Sequence, residues 1–118
     1  MANRLRGETP LQVGDQSYTL LLDINALAAL EEQLGMMMDM ILAQYQAGTS
    51  VTLVRAMVWA GLQAKHPCSI EEAGTIVGNA GLPAAKAAIE AALVASLPEA
   101  TPENPPKRDR TKAAAGNG

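Results

Sequence analysis

Apolar residues recur at three- and four-residue intervals through the middle of the chain. The repeat in segment 51–65 consists of Val51, Val54, Met57, Val58, Gly61 and Leu62. This spacing defines one face of an α-helix, and Leu53 and Ala60 widen that face. Ser50 precedes the repeat, where a hydroxyl caps free N–H groups, and Pro67 follows it as a stop signal. Because neighbours must cover so apolar a helix on most sides, we predict the central helix of a small bundle.

The first part of the chain alternates apolar and polar residues with a period of two, which is typical of a half-buried β-strand. Leu11 and Val13 form the first run, and a Gly-Asp-Gln turn follows at 14–16. The second run has its apolar side chains at Tyr18, Leu20 and Leu22. Two such runs around a Gly-Asp pair predict a β-hairpin. Because an isolated hairpin is only marginally stable in water, we expect the apolar face of the second run to lie on the helices.

A short helix is predicted after the hairpin. Its apolar stripe consists of Ile24, Leu27, Leu30 and Leu34. Asp23 or Asn25 caps its beginning, since either side chain accepts hydrogen bonds from free backbone N–H groups. Residues 31–33 are expected to face water, and Gly35 stands where a left-handed residue ends a helix.

Two more helices are predicted between residues 69 and 97. Ser69 and Glu72 have the spacing of a capping box, in which each side chain accepts from the other residue's backbone N–H. The inward side of this helix consists of Ala73, Ile76, Val77 and Ala80. Pro83 suits the first turn of the last helix, where its missing N–H costs nothing. The stripe of the last helix consists of Ala85, Ile89, Ala92, Leu93 and Leu97.

These elements predict a mainly α fold of the α+β type, in which an N-terminal β-hairpin precedes a compact bundle of four to five helices. Residues 1–97 form this single domain. From Pro98 onwards the chain is rich in proline and then basic, with no large apolar residue. Such a segment cannot offset its chain entropy by burial, so 98–118 is predicted to be a disordered tail.

Composition narrows the classes of partner. The chain of 118 residues is 48% hydrophobic and contains no phenylalanine, so its core must be built from Ala, Leu, Val, Ile and Met. Residues 1–97 carry nine acidic and five basic side chains, a net charge of −4. An acidic domain argues against a nucleic-acid partner, which calls for clustered Lys and Arg.

Cysteine usage and hydropathy indicate the compartment. Cys68 is the only cysteine, which excludes a disulfide within the chain and is typical of a reducing environment. The first residues lack the apolar run of a signal peptide. No segment approaches the roughly 18–20 apolar residues of a membrane span. We therefore expect a soluble cytoplasmic protein with no membrane partner.

Segment 36–45 is apolar around nearly its whole circumference. Its apolar residues include Met36, Met37, Met38, Met40, Ile41 and Leu42. A helix of this kind is either buried or partly exposed for a partner, and flexible methionines suit surfaces that accept varied partner shapes. The alternative is that these methionines fill a core that lacks aromatic residues.

Trp59 lies on the otherwise polar stripe of the central helix, and tryptophan is enriched among the residues that dominate interfaces. The alternative is that the hairpin or the 36–45 helix covers it. The candidate partner-binding residues are Met36, Met37, Met40, Tyr45 and Trp59.

The sequence contains few candidate residues for catalysis or metal binding. His66 and Cys68 are the only soft or borderline metal ligands, and two ligands do not close a tetrahedral zinc site. No third group is identifiable to orient them for nucleophilic catalysis. The glutamate pairs at 31–32 and 71–72 point about 100° apart on a helix, and neither a phosphate loop nor a dinucleotide fingerprint occurs. We expect no enzymatic activity, no cofactor and no small-molecule substrate.

A set of short motifs occurs in a recognisable order. They are Arg6-Gly7-Glu8, Asn25-Ala26-Leu27, Leu34-Gly35, Ala60-Gly61-Leu62 and the segment 68–73. In this order the chain resembles the small tail assembly chaperones of siphophages and gene transfer agents, a family sometimes labelled tail tube proteins. The resemblance covers residues 3–97 and carries over no catalytic or binding residues.

The resemblance implies a protein that holds the long tape-measure protein soluble while tail tube subunits polymerise around it. Its partners would be the tape-measure protein and the tail tube protein, in the cytoplasm of the bacterial host, and it would be absent from the finished particle. An acidic helical surface that bears methionines is compatible with a long helical client bound in a groove.

Two alternative functions stay open. A structural subunit of the tail tube or connector would call for a larger sheet than one hairpin. A small DNA-binding regulator would use the helix pair 70–80 and 82–97, but only Lys86 on the second helix is available to contact a base or a phosphate.

Overall fold

The hairpin forms as predicted. In the computed structural model, which describes residues 7–48 and 50–96, strand β1 (Glu8–Val13) pairs antiparallel with strand β2 (Gln16–Leu21). Gly14 has a φ of 59°, and two-residue hairpin turns favour such positive φ angles. The inward side chains of Leu11 and Leu20 are buried, and Leu22 continues this buried face beyond the strand. The expectation that the hairpin lies on the helices is therefore confirmed.

Five helices follow the hairpin in the described part of the chain. They are α1 (Ile24–Leu34), α2 (Met38–Ala47), α3 (Val51–Leu62), α4 (Ile70–Ala80) and α5 (Leu82–Ser96). The predicted fold class, an N-terminal hairpin before a compact helical bundle, is confirmed.

Helix α3 is the centre of the packing, as its apolar pattern predicted. It contacts α1, α4, α5 and strand β2. Its largest buried side chains are Leu53, Val54, Met57, Val58 and Leu62. The core around it is aliphatic, so it is filled by branched side chains, alanine and Met57.

The hairpin lies close to the backbone of α3 at Gly61. A Cβ atom built on this glycine would lie 3.2 Å from the Cβ of Leu20 and 3.6 Å from the backbone nitrogen of Leu21. Gly61 is buried at this contact. The missing side chain therefore allows strand β2 to rest directly on the helix backbone.

Helix α5 packs through small side chains, as predicted. Ala85, Ile89 and Ala92 are fully buried, and the helix contacts β1 and α3. The predicted stripe residue Leu97 and the predicted tail, 98–118, lie outside the described residues.

Side-chain caps mark three helix starts. Asp23, rather than Asn25, caps α1 through a carboxylate oxygen that accepts a backbone N–H at 2.9 Å. The hydroxyl of Ser50 caps α3. Ser69 and Glu72 form the predicted capping box at the start of α4, with donor–acceptor distances of 3.1 and 2.8 Å.

Two side chains that the helical pattern placed inside lie outside. Ile24 is 76% exposed and Val51 is 62% exposed, so these two predictions were wrong. Each is the first residue of its helix, and burial begins only at Ala26 on α1 and at Leu53 on α3. The first turn of each helix therefore projects beyond the neighbours that cover the later turns.

Three helix boundaries also differ from the prediction. The central helix ends at Leu62 instead of Lys65, and the chain leaves it through a turn in which the backbone N–H groups of Lys65 and His66 both donate to the carbonyl oxygen of Leu62. The methionine-rich helix spans Met38–Ala47, so it begins and ends two residues later than predicted. Its first turn is set by a contact from α1 that is described below.

The glycine contact yields a matched test of packing. Gly61→Val should destabilise the fold by about 1–3 kcal/mol, because the added side chain meets the side chain of Leu20 and the backbone nitrogen of Leu21 on β2. Gly78→Val on α4 is the control, since a Cβ at Gly78 meets no atom within 4 Å, and it should change stability by only a few tenths of a kcal/mol. Urea unfolding midpoints of the two variants measure the difference. Equal midpoints would contradict the close approach.

Candidate partner-binding surface

Two methionines at the start of α2 point into solvent. Met37 is 62% exposed and Met40 is 50% exposed. Met37 is the extended residue that precedes α2, and Met40 lies in the first turn of the helix. Met36 and Met38 are half-buried, and Ile41 is the fully buried residue of α2. Met37 and Met40 therefore do not fill the core, whereas Met36 and Met38 pack against it.

Helix α1 holds the start of α2 in place. A carboxylate oxygen of Glu31 accepts the backbone N–H of Met38 at 2.8 Å, and Met37 itself contributes no side-chain cap. Glu31 is half-buried rather than facing water as predicted. The first turn of α2 also carries Asp39, whose negative charge is favourable at a helix N-terminus. The two exposed methionines thus stand on a fixed turn, which we call the methionine surface (Met37 and Met40).

Tyr45 joins the other end of α2 to α5. Its hydroxyl lies 3.1 Å from a carboxylate oxygen of Glu90 and 3.3 Å from the carbonyl oxygen of Lys86. The ammonium nitrogen of Lys86 lies 5.6 Å from the centre of the tyrosine ring, within the range of a cation–π contact. Burial, followed by the charge and the hydrogen bond of Glu90, raises the pKa of Tyr45 to about 12. Tyr45 is therefore engaged in a contact between two helices of the same chain.

Trp59 lies at the junction of α3 and α4. Its indole N–H donates to the carbonyl oxygen of Cys68 at 3.1 Å, and the Gln63 amide donates to the same oxygen at 3.2 Å. The ring is half-buried against the core. The side chain thus anchors the connection between the two helices. This arrangement differs from both alternatives that the sequence left open, which were a partner interface and cover by the hairpin or the 36–45 helix.

The five candidate residues do not form one surface. Met36, Met37 and Met40 lie together at the start of α2. Tyr45 is at the far end of that helix, and Trp59 belongs to the α3–α4 junction. The exposed part of the set is the methionine surface.

Sequence reasoning missed one large exposed apolar residue, Val94 on α5, which is 62% exposed. The sequence did contain a signal for this exposure, because α5 is apolar on nearly every side except at Lys86 and Glu90. A helix with that pattern has more apolar faces than one core can cover.

The two candidate metal ligands line a cleft of about 400 Å³ between the hairpin and α4. The ring of His66 meets the ring of Tyr18 edge to face, with centroids 5.2 Å apart. Burial, in the first place, raises the pKa of the Cys68 thiol, and the charge of Glu72 adds to this against the hydrogen bond from Gln63. A thiol with a raised pKa is a weak nucleophile at neutral pH.

Among residues 7–48 and 50–96, no three His, Cys, Asp or Glu side chains are grouped closely enough to hold a metal ion. None of the helices in this part of the chain has the length and apolar character needed to cross a membrane.

Comparison with known proteins identifies a family. The family model described as "Phage tail tube protein, GTA-gp10" matches residues 6–98, which spans the hairpin and all five helices. No curated protein and no solved structure matches the chain significantly.

The pKa of Tyr45 predicts a loss of stability at high pH. Tyrosine in the unfolded chain ionises near pH 10, whereas Tyr45 in the fold ionises at about 12. Between these values the unfolded state releases a proton that the folded state retains. The contribution of Tyr45 to the free energy of unfolding is therefore full below pH 10 and is lost as the pH rises towards 12. Tyr45→Phe should lack this loss of stability. Parallel pH dependences of the urea midpoint in the two proteins would contradict the assignment.

The raised pKa of Cys68 predicts a slow thiol. At pH 8, Ellman's reagent should react with the native protein several-fold more slowly than with the urea-unfolded chain, because less thiolate is present and the sulfur is partly covered. The chain has a single cysteine, so the absorbance change reports Cys68 alone. An equal or faster rate in the native protein would show that the thiolate is stabilised instead.

Proposed function

The chain belongs to the phage tail family described as phage tail tube protein, GTA-gp10, and on this premise we propose that it serves as a tail assembly chaperone. Its client is the tape-measure protein, which it keeps soluble while tail tube subunits polymerise. It acts in the cytoplasm of the bacterial host, has no catalytic activity and is absent from the finished particle.

The observation that carries this proposal is the methionine surface. Met37 and Met40 are exposed on a turn whose backbone is held by Glu31. Exposed methionines on a fixed turn combine adaptable side chains with a backbone that needs little further ordering, which suits a client that presents many similar apolar stripes. The proposed contact is the apolar face of an amphipathic client helix against this turn.

Charge restricts the kind of client helix that would fit. Asp39 stands between the two methionines in the sequence, and it is exposed. Acidic groups at the rim of an apolar contact favour a client helix whose stripe is flanked by Lys or Arg, and they speed association more than they tighten it.

A structural role in the tail is the second candidate, and the family description favours it because its printed words are "Phage tail tube protein". Against it stands the small sheet, since the described residues contain two paired strands. Mass spectrometry of purified particles separates the two roles, because a tube subunit is present in many copies and a chaperone is missing.

The DNA-binding alternative has the least support. Helix α5 carries Lys86 as its basic residue, and the ammonium group of Lys86 lies at the ring of Tyr45. Retention of the full chain on a heparin column at moderate salt would be evidence for DNA binding.

Co-expression tests the chaperone proposal. The tape-measure protein should move from the pellet to the soluble fraction when this chain is present, and the two should elute together from a sizing column. A client that is no more soluble with the chain than without it would refute the proposal.

Substitution of the methionine surface tests where the client binds. Met37→Asp with Met40→Asp should weaken client binding by tenfold or more, because each buried methionine contributes about 1.5–3 kcal/mol. Ile24→Asp is the matched control, since Ile24 is also exposed but lies on the first turn of α1. The amount of client that co-purifies with each of the three proteins after co-expression measures binding, and circular dichroism of each protein measures folding. Unchanged affinity in a folded double variant would move the client site elsewhere.

A further inference from the structure

Arg55 differs from the other cationic side chains that the structure describes. The described ranges contain three lysine or arginine side chains, at Arg55, Lys65 and Lys86. The ammonium nitrogen of Lys65 lies 3.4 Å from a carboxylate oxygen of Glu8, and that of Lys86 lies 5.6 Å from the centre of the Tyr45 ring. Arg55 forms neither an ion pair nor a hydrogen bond with any residue in these ranges. Its positive charge is therefore uncompensated within the described part of the fold.

The stem of Arg55 is packed into the junction of α3 and α4. Its neighbours in the sequence, Val54 and Ala56, are buried, and Arg55 itself is half-buried. A Cβ atom built on Gly74 of α4 would lie 3.0 Å from the Cδ of Arg55 and 3.6 Å from its Cγ. The arginine stem therefore occupies the space that a side chain at position 74 would fill, which holds the stem against the backbone of α4.

The guanidinium group of Arg55 has a buried nitrogen without a partner. Nε is buried and donates to no group of the described residues, and it is the one guanidinium nitrogen so placed. The two terminal nitrogens therefore reach the surface of the half-buried side chain. Buried polar groups nearly always have a hydrogen-bond partner, and an unsatisfied charged group costs more than a neutral one. An acceptor that arrives from outside the fold would compensate this charge through the terminal nitrogens.

The surroundings of Arg55 restrict the chemistry of that acceptor. Val51 lies one turn before Arg55 on the same side of α3 and is 62% exposed. A planar carboxylate accepts two hydrogen bonds from a guanidinium group, and the apolar neighbours of that carboxylate in a polypeptide would cover the valine. A nucleic acid calls instead for clustered cations, and Lys65 and Lys86 are engaged elsewhere. The site therefore suits an acidic side chain on an apolar polypeptide segment.

We propose that Arg55 binds a carboxylate of the client protein, while Val51 contacts the apolar residues beside that carboxylate. This contact rests on the proposed function, because it is a second point at which the same client is held. It selects differently from the methionine surface, since Asp39 favours a basic group on the client and Arg55 favours an acidic one. A client helix that carries both signs of charge beside its apolar stripe satisfies both contacts.

Urea unfolding tests whether the fold itself needs the charge of Arg55. Arg55→Met removes the guanidinium group and keeps a flexible stem against Gly74. Because a partly buried charge without a partner does not stabilise a fold, the variant should have a midpoint equal to or higher than that of the wild type. A lower midpoint, or a variant that fails to fold, would show that Arg55 pairs with an acidic residue of its own chain, and it would overturn the proposal. Glu71, which is exposed on α4 one turn before Gly74, is the nearest such residue along that helix.

Co-expression with the tape-measure protein tests the contact. The amount of client that co-purifies with Arg55→Met should fall about tenfold or more below the wild-type amount, because the client carboxylate loses its partner. Lys86→Met is the matched control, since it removes the same charge where the ammonium group faces the Tyr45 ring. It should co-purify as much client as the wild type does. Equal amounts with wild type and Arg55→Met, or an equal loss with both variants, would overturn the proposal.

The same experiment separates the Arg55 contact from the chaperone role. If the wild-type chain leaves the client in the pellet, the chaperone role fails, and the contact with this client fails with it. If the wild type and Arg55→Met keep equal amounts of client soluble, the chaperone role stands and only the Arg55 contact fails.

Discussion

The contact between strand β2 and the backbone of α3 at Gly61 is the constraint on which the rest of the structure depends. Leu20 lies against the helix with no side chain between them, so the hairpin rests on α3 as a second layer. That position brings β1 over α5, which meets it through alanine. A core without phenylalanine fills space by close approach of backbones, and glycine and alanine at the contacts make this approach possible.

Each of the few aromatic side chains connects two parts of the fold. Tyr45 connects α2 to α5, Trp59 holds the chain as it leaves α3 for α4, and Tyr18 meets His66 beside the hairpin. Each ring is half-buried, so its apolar body packs while the hydroxyl or N–H reaches a partner. Because the rings are engaged within the chain, the large apolar groups left for partners are aliphatic side chains and methionines.

The exposed apolar areas of α2 and α5 differ in kind. The methionine surface is small and flexible in its side chains, so it can adapt to the shape of what it contacts. The outward side of α5 consists of alanines and the exposed Val94, with the charged Glu90 among them.

By itself, the sequence determined the hairpin, the helix starts at Ser50 and Ser69, and the burial of α3, because each of these depends on residues close together in the chain. Local signals also sufficed for the apolar pattern of segment 36–45, from which partner-binding methionines were expected. Only the tertiary structure decided that Glu31 caps α2, that Trp59 donates to Cys68 and that Tyr45 reaches Glu90. It also decided that Ile24 and Val51 are exposed although they belong to apolar stripes. A helical pattern shows which side of a helix is apolar, but the length over which neighbours cover that side depends on how the other elements pack against it.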